Sequence, residues 1–353
     1  KSSEQLIQYL SLVEKINLNE NLYSKLFTEK LDLDYKIKKG KIDINIAKIK
    51  TNEINAEIEQ LVEKINKDKV IKNEKKIHAE QFLEENISSA IQSEQVNIFD
   101  NIFYVPVDLS LEKTPKLLVI SPRDKIYRQE DKLLNSNISL EAINNMELTL
   151  LEENNLSAIV VPTGGVSTYP SIVSEGDLLY ILQTAAHEWL HNYLALFPLG
   201  RSYFTSTDMQ SINETICDIF GNEVVIIAYE KIMDRKIDNE IIQTKKINKE
   251  FNFDKFMKET RLVVEKLLSE GKILESESFM DEQRMVLSSN GYDIRKINQA
   301  YFAFYGTYGG NPESSNNYYD NLIQIRKRYK NLGDMIHDIK YSDNIEKIYS
   351  LLE

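Results

Sequence analysis

Apolar residues recur at helical spacing through the first hundred positions: Leu6, Leu10, Val13 and Ile16, then Ile54, Ile58, Leu61 and Ile65. Steps of three and four place such residues on one helix face, and Lys, Glu and Asn fill the remainder. The stretch holds no proline and a single glycine, Gly40. We expect two long amphipathic helices that break near residues 38–41 and pack as a hairpin or short coiled coil. Such an arm serves either as a solvated spacer or as an element that binds a partner or gates a substrate. The pattern does not choose between them.

Near residue 101 the period changes. Ile102-Phe103-Tyr104-Val105 and Lys116 to Ser121 read as strands, punctuated by Pro106 and Pro115. Residues 137–155 read as a helix and Ser157 to Val161 as another strand. In the turn Ser121-Pro122-Arg123-Asp124, Arg123 is either a receptor for a substrate carboxylate or half of an Arg–Asp structural pair. Ser174-Glu175-Gly176-Asp177 resembles a capping box, so a helix should start near Glu175 and end before Pro198 and Gly200. Leu178, Leu182, Ala185, Ala186, Trp189 and Leu190 surround most of its circumference, the mark of a buried helix.

A further helix should run from Ser211 or Asn213 through Ala228, followed by helices at 253–268, 276–287 and 293–304. Gly306, Gly309, Gly310 and Pro312 mark a loop, and one or two helices close the chain after Lys327. The expected fold class is α+β. It comprises a helical arm at 1–100, a domain with a small mixed sheet at 101–230 and a helical lobe at 231–353.

Composition narrows the function. A formal net charge of −12 argues against a nucleic-acid surface. No run of 18 apolar residues exists, so we expect no membrane span within this chain. Cys217 is the only cysteine and has no partner for an intramolecular disulfide; it reads as a small buried residue. The sequence begins at Lys1, from which we expect a removed upstream segment such as a signal or anchor. The compartment stays open, with extracytoplasmic and membrane-tethered placements both among the alternatives.

The chemistry concentrates in His187-Glu188-Trp189-Leu190-His191. On a helix, residues four apart share a face, so both imidazoles can reach one metal ion. Glu188 projects beside them, free to work on a water. Downstream, 22 residues (192–213) separate His191 from Glu214 in the run Asn213-Glu214-Thr215-Ile216-Cys217-Asp218. A catalytic zinc commonly takes three protein ligands, and His₂Glu is one such set. Glu214 supplies its carboxylate. Asp218, four residues on, is placed to accept the N–H of a ligating imidazole.

These two runs resemble the paired H-E-x-x-H and N-E-x-x-x-D signature of the gluzincin zinc metallopeptidases, the thermolysin type in particular. The resemblance covers residues 165–225. It implies a zincin-like domain with one Zn²⁺ held by His187, His191 and Glu214, Glu188 as general base, and Asn213 and Asp218 supporting the ligands. Asp218 would orient His187. It also implies a peptide or protein substrate laid along an edge strand above the metal, for which Val166, Ser167, Thr168 and Tyr169 are the candidates. A tyrosine or histidine should stabilise the oxyanion. Tyr305 and Tyr308, beside glycines on the aromatic loop 301–310, are better placed for this than His337.

Two departures stand out. The spacing of 22 is a few residues long for these families, so the loop around Pro198 to Tyr203 should be enlarged. The G-x-M-E-N exopeptidase motif is absent, since Gly164-Gly165-Val166-Ser167-Thr168 lacks its glutamate, which favours cleavage inside a chain. Two other functions stay open: a hydrolase of a non-peptide substrate on the same fold, and a helical scaffold whose metal site is structural or degenerate.

Overall fold

The computed structural model describes residues 2–38, 42–97, 105–237, 251–292, 294–314 and 317–352. The fold is α+β, mostly helical, with two three-stranded sheets among the described residues. It divides into two compact units: Lys1–Glu85 with Glu175–Ile181, and Asn86–Ser174 with Leu182–Glu353. The segments 101–230 and 231–353 thus fall, apart from 175–181, in one unit. No helix among the described residues is long and apolar enough to cross a membrane.

In the first unit, α1 (Ser2–Lys38) and α2 (Ile44–Ser93) form an antiparallel pair; α2 continues beyond this unit. Cross-links descend along α2 as they ascend along α1: Gln8 with Lys75, Lys15 with Asp68, Lys30 with Asn55. Leu6, Tyr9, Val13 and Ile16 are buried at steps of three and four, and Leu26 and Leu33 meet Ile54 and Leu61 in an apolar cluster. Knobs at that spacing keep one seam between two helices. Glu175 is fixed by the Tyr9 hydroxyl at 2.5 Å and by Lys72 Nζ at 2.6 Å and 2.8 Å.

In the second unit, β2 (Lys116–Pro122) lies between β3 (Glu130–Leu134) and β4 (Leu156–Pro162), antiparallel to both. The apolar runs of β2 and β4 are buried on both faces. Leu118, Ile120, Ala158 and Val160 pack against Ile143 of α3 (Leu140–Asn154). Leu117, Val119, Ile159 and Val161 face α7 (Phe253–Ser269), α8 (Ile273–Ser289) and α9 (Gln299–Tyr305). Side-chain alternation along a strand sends alternate residues to these two layers. The smaller sheet joins β1 (Leu109–Leu111), β6 (Ser171–Val173) and β5 (Gly165–Val166), with β6 central, parallel to β1 and antiparallel to β5.

Next come α4 (Leu178–Leu194), α5 (Pro198–Arg201) and α6 (Thr207–Met233). Trp189 stacks on Phe220 at 5.7 Å. A Cβ at Gly221 would stand 2.8 Å from the Gln183 carbonyl oxygen, so glycine permits this close crossing of α4 and α6. The chain closes with α10 (Tyr318–Arg326), α11 (Leu332–Ile339) and α12 (Ile345–Tyr349).

Several boundaries differ from the sequence expectation. α4 starts at Leu178 because Asp177 Oδ1 accepts from the Tyr180 N–H at 3.0 Å, making Asp177 the cap in place of Ser174. α6 starts earlier than expected, since Ser206 Oγ accepts from the Met209 N–H at 3.1 Å. The helix expected from Asp293 starts at Gln299, where Asn298 Oδ1 caps the Tyr301 N–H at 2.8 Å. Of the strand expected at 102–105, residues 102–104 lie outside the described residues. Val105 is in no strand, and its carbonyl accepts from Trp189 Nε1. Arg123 pairs with Glu277 at 2.8 Å and 2.6 Å and with Asn155 at 2.7 Å, rather than with an aspartate.

Candidate metal centre

One turn of α4 places His187 and His191 on the side that meets α6, where Glu214 is buried in the first half of the helix. Their ligand-type atoms converge. His187 Nε2 and His191 Nε2 are 3.1 Å apart, and Glu214 Oε2 is 3.3 Å and 3.5 Å from them respectively. Donors about 2.0–2.1 Å from a tetrahedral ion stand roughly 3.3–3.4 Å from one another, so this triangle has the size of a metal site. Two imidazoles and a carboxylate also suit a borderline cation. The buried group can hold a metal ion.

The other ring nitrogen of His187 is engaged. Asp218 Oδ1 lies 3.0 Å from His187 Nδ1, one helical turn beyond Glu214. An acceptor there fixes the proton on Nδ1 and leaves Nε2 facing the triangle. Burial opposes charge on His187, yet the hydrogen bonds to Asp218 and Glu214 outweigh it and hold its pKa well above the ordinary imidazole value. Burial likewise opposes charge on Glu214, but His191 and His187 overcome it and keep this carboxyl well below the usual range. Burial and the surrounding carboxylates push the Cys217 thiol up, so it stays protonated and takes no part as a thiolate.

Glu188 is buried beside the triangle but outside it. Ser167 Oγ donates to Glu188 Oε2. A Cβ on Gly165 would stand 2.5 Å from Glu188 Oε1 and 2.6 Å from its Cγ, so any side chain here would force that carboxylate or β5 to shift. The expected edge strand at 166–169 is shorter than anticipated. Only Val166 of the four is in a strand, and the Thr168 N–H turns back to the Val166 carbonyl at 2.7 Å. Ser167, Thr168 and Tyr169 therefore lie past the strand, and Ser167 reaches Glu188 through its side chain.

The long spacer carries a residue that the sequence reading did not select. After α5, a 3₁₀ turn (Ser202–Phe204) presents Tyr203, whose hydroxyl donates to Glu214 Oε1 at 2.5 Å and accepts from Gln210 Nε2 at 3.2 Å. Its ring meets His191 edge-on at 5.8 Å. Burial and the Glu214 charge raise its pKa, so the hydroxyl keeps its proton. Asn213 fastens this loop to α6 by donating to the Leu199 carbonyl at 3.1 Å and the Met209 carbonyl at 2.8 Å.

The aromatic loop splits. Tyr305 packs with Tyr301 at 4.5 Å and Phe304 at 5.0 Å in the helical core, where Glu313 acts on it. Tyr308 packs on the same core, 5.8 Å from the Phe304 ring, and also lies within electrostatic range of Glu214 and Asp218, its hydroxyl pushed up first by burial and then by Glu214. The Gly309 N–H donates to Thr215 Oγ1 at 2.9 Å, tying this loop to the residue after Glu214. His337 lies on α11, whose buried side is Leu332, Met335, Ile336 and Ile339.

Arg128 is a second residue not anticipated. It pairs with Asp131 at 2.7 Å, lies 5.2 Å over the Phe304 ring, and its charge reaches Tyr203 and Tyr308. The only clue to Tyr203 was the enlarged spacing; Arg128 had none. No protein-family model, curated protein or solved structure matches this chain.

Proposed function

We propose that this chain is a zinc-dependent hydrolase of peptide bonds, with a zincin-like catalytic domain of the gluzincin type. The observation that carries the reading is the division between three converging donors and a fourth acidic residue held apart from them. A structural zinc site closes four protein ligands, whereas three donors leave one position for chemistry. Glu188 would then serve no purpose in coordination and has the place of a general base.

His187, His191 and Glu214 would hold the ion, which when bound supplies a Lewis acid for the scissile carbonyl and draws the pKa of a water toward ~7. Glu188 accepts the proton of the attacking water and returns it to the departing amine. Ser167 holds the Glu188 carboxylate by its hydrogen bond, and Gly165 gives it space. Tyr203, protonated and hydrogen-bonded to the donor triangle, would donate to the oxyanion by turning its single proton from Glu214 Oε1 to the substrate, in preference to Tyr305. Asp218 keeps the His187 ring in its coordinating orientation.

The test is metal stoichiometry combined with hydrolysis of a mixed peptide library. One zinc per chain, with cleavage abolished by chelation and restored by zinc, supports the reading. A chain that binds zinc and cleaves no peptide would overturn it.

A further inference from the structure

We infer that the end of the helical arm where α2 begins docks on an anionic lipid surface, independently of the hydrolase reading above. Ile44, Ile46 and Ile49 each leave more than half of their surface exposed. Elsewhere on α2 the exposed large hydrophobics Val62, Val70 and Ile77 stand apart from one another. The hairpin seam does not use the three isoleucines, since on α2 it is Ala47, Ile54 and Leu61 that are buried. At 3.6 residues per turn, Ile44 stands about 160° from Ile46 and about 140° from Ile49. The three therefore surround the helix end rather than line one face. Branched side chains left in water add neither core energy nor helix propensity, so folding does not account for them.

The charge beside them is reversed from that of the whole chain. Residues 36–50 contain six lysines, five isoleucines and one acid, Asp43, for a formal charge of +5 in a chain of −12. Asp43 caps α2, its Oδ1 accepting from the Asn45 N–H at 2.8 Å and the Ile46 N–H at 3.2 Å. Lys48 and Lys50 are exposed and pair with no carboxylate among the described residues. Antiparallel pairing, seen in the Lys30–Asn55 bond at 2.8 Å and the cluster of Leu33 with Ile54, brings the end of α1 to the start of α2. The lysines that close one helix and those that open the next thus share one end of the arm.

This arrangement fits lipid better than an acidic protein. A protein groove reads a single stripe of a helix, with anchors three and four residues apart. Isoleucines on opposite sides of a helix end are all covered only by a medium that closes around it. A lipid interface does so, taking apolar side chains into the acyl boundary while lysines meet the headgroup phosphates. Each lysine near an anionic leaflet raises partitioning by roughly fivefold.

Vesicle flotation of the full chain tests this, with phosphatidylcholine alone and with phosphatidylcholine and phosphatidylglycerol in equal parts. Wild type should float with the anionic vesicles, its partition coefficient exceeding that for neutral ones by about tenfold or more. Lys48→Glu with Lys50→Glu should lower the anionic value by about 30-fold or more. Ile46→Ser with Ile49→Ser should lower it by about tenfold or more. Val70→Ser, which removes an equally exposed residue farther along α2, should change nothing. All of these side chains are exposed, so every variant should keep the wild-type helix content.

Soluble polyglutamate separates lipid from an acidic partner, because it offers charge without an apolar interior. The double serine variant should bind it as wild type does while losing the vesicles. Wild type that stays behind the anionic vesicles, or either double variant that floats as wild type does, would overturn the inference. Polyglutamate binding without flotation would assign the lysines to an acidic protein instead.

Discussion

The hydroxyl of Tyr203 donates to Oε1 of Glu214 at 2.5 Å, while Oε2 of the same carboxylate faces His187 at 3.3 Å and His191 at 3.5 Å. One carboxylate therefore joins the donor triangle to the Tyr203 hydroxyl. If Tyr203 donates to the oxyanion, Tyr203→Phe should keep zinc and lower kcat by about 10²-fold or more, with KM little changed. Steady-state kinetics with metal analysis checks this. A loss of zinc in Tyr203→Phe would make the tyrosine an orienter of Glu214 instead.

Gly165 gives a test that leaves every polar group in place. A methyl there would collide with the Glu188 side chain at 2.5–2.8 Å, so either the strand or the carboxylate must move. Gly165→Ala should retain zinc, keep its helix content and lose about tenfold or more in kcat, since displacements of about 1 Å are costly in positioned catalysis. Equal activity would show that Glu188 works elsewhere than beneath β5.

Asp218 accepts from His187 Nδ1 at 3.0 Å. Asp218→Ala should weaken zinc retention or activity by ~10–100-fold at unchanged helix content, and Asp218→Asn should fall between alanine and wild type. Competition against a chromophoric chelator measures the affinity. An alanine variant that matches wild type would return this residue to a passive surface role.

Glu313 provides a pH dependence away from the metal group. Burial raises its carboxyl pKa above the ordinary value, against the opposing hydrogen bond from the Tyr301 hydroxyl at 2.9 Å. The folded state thus holds this proton more tightly than the unfolded chain. Its contribution to stability is full below the unfolded value of about 4.3 and is lost as pH rises through the folded pKa. Glu313→Gln removes that titration, so the wild-type Tm should fall relative to the variant as pH rises from about 4 to 7. A Tm difference that stays constant with pH would contradict the raised pKa.

Local relationships were legible in the sequence, and distant ones were not. His187 with His191, and Glu214 with Asp218, are each four apart on one helix, so spacing alone placed each pair on a face. The unbroken apolar run Leu117, Leu118, Val119 and Ile120 after Pro115 marked β2, which is buried on both sides. β1 and β6 have three residues each and β5 has two, too short for any period to register. Ser174 and Asp177 both suit the cap of α4, and only the bond from the Tyr180 N–H to Asp177 separates them. Tyr203 and Arg128 come close to the site through folding of the spacer and of the turn before β3. Tyr305 and Tyr308 look equivalent in sequence and both pack on the same core, yet Tyr308 also lies within electrostatic range of Glu214 and Asp218.

The central claim is that Glu188 moves protons and does not bind the metal. Its most direct test is Glu188→Gln, measured for zinc content and for peptide hydrolysis on the same preparation. The glutamine is nearly isosteric and still accepts from Ser167, but it has no carboxylate to take a proton from water. The account predicts one zinc per chain, as in wild type, with a rate lower by ~10²-fold or more. A variant that loses its zinc, or that keeps both zinc and full activity, would contradict it.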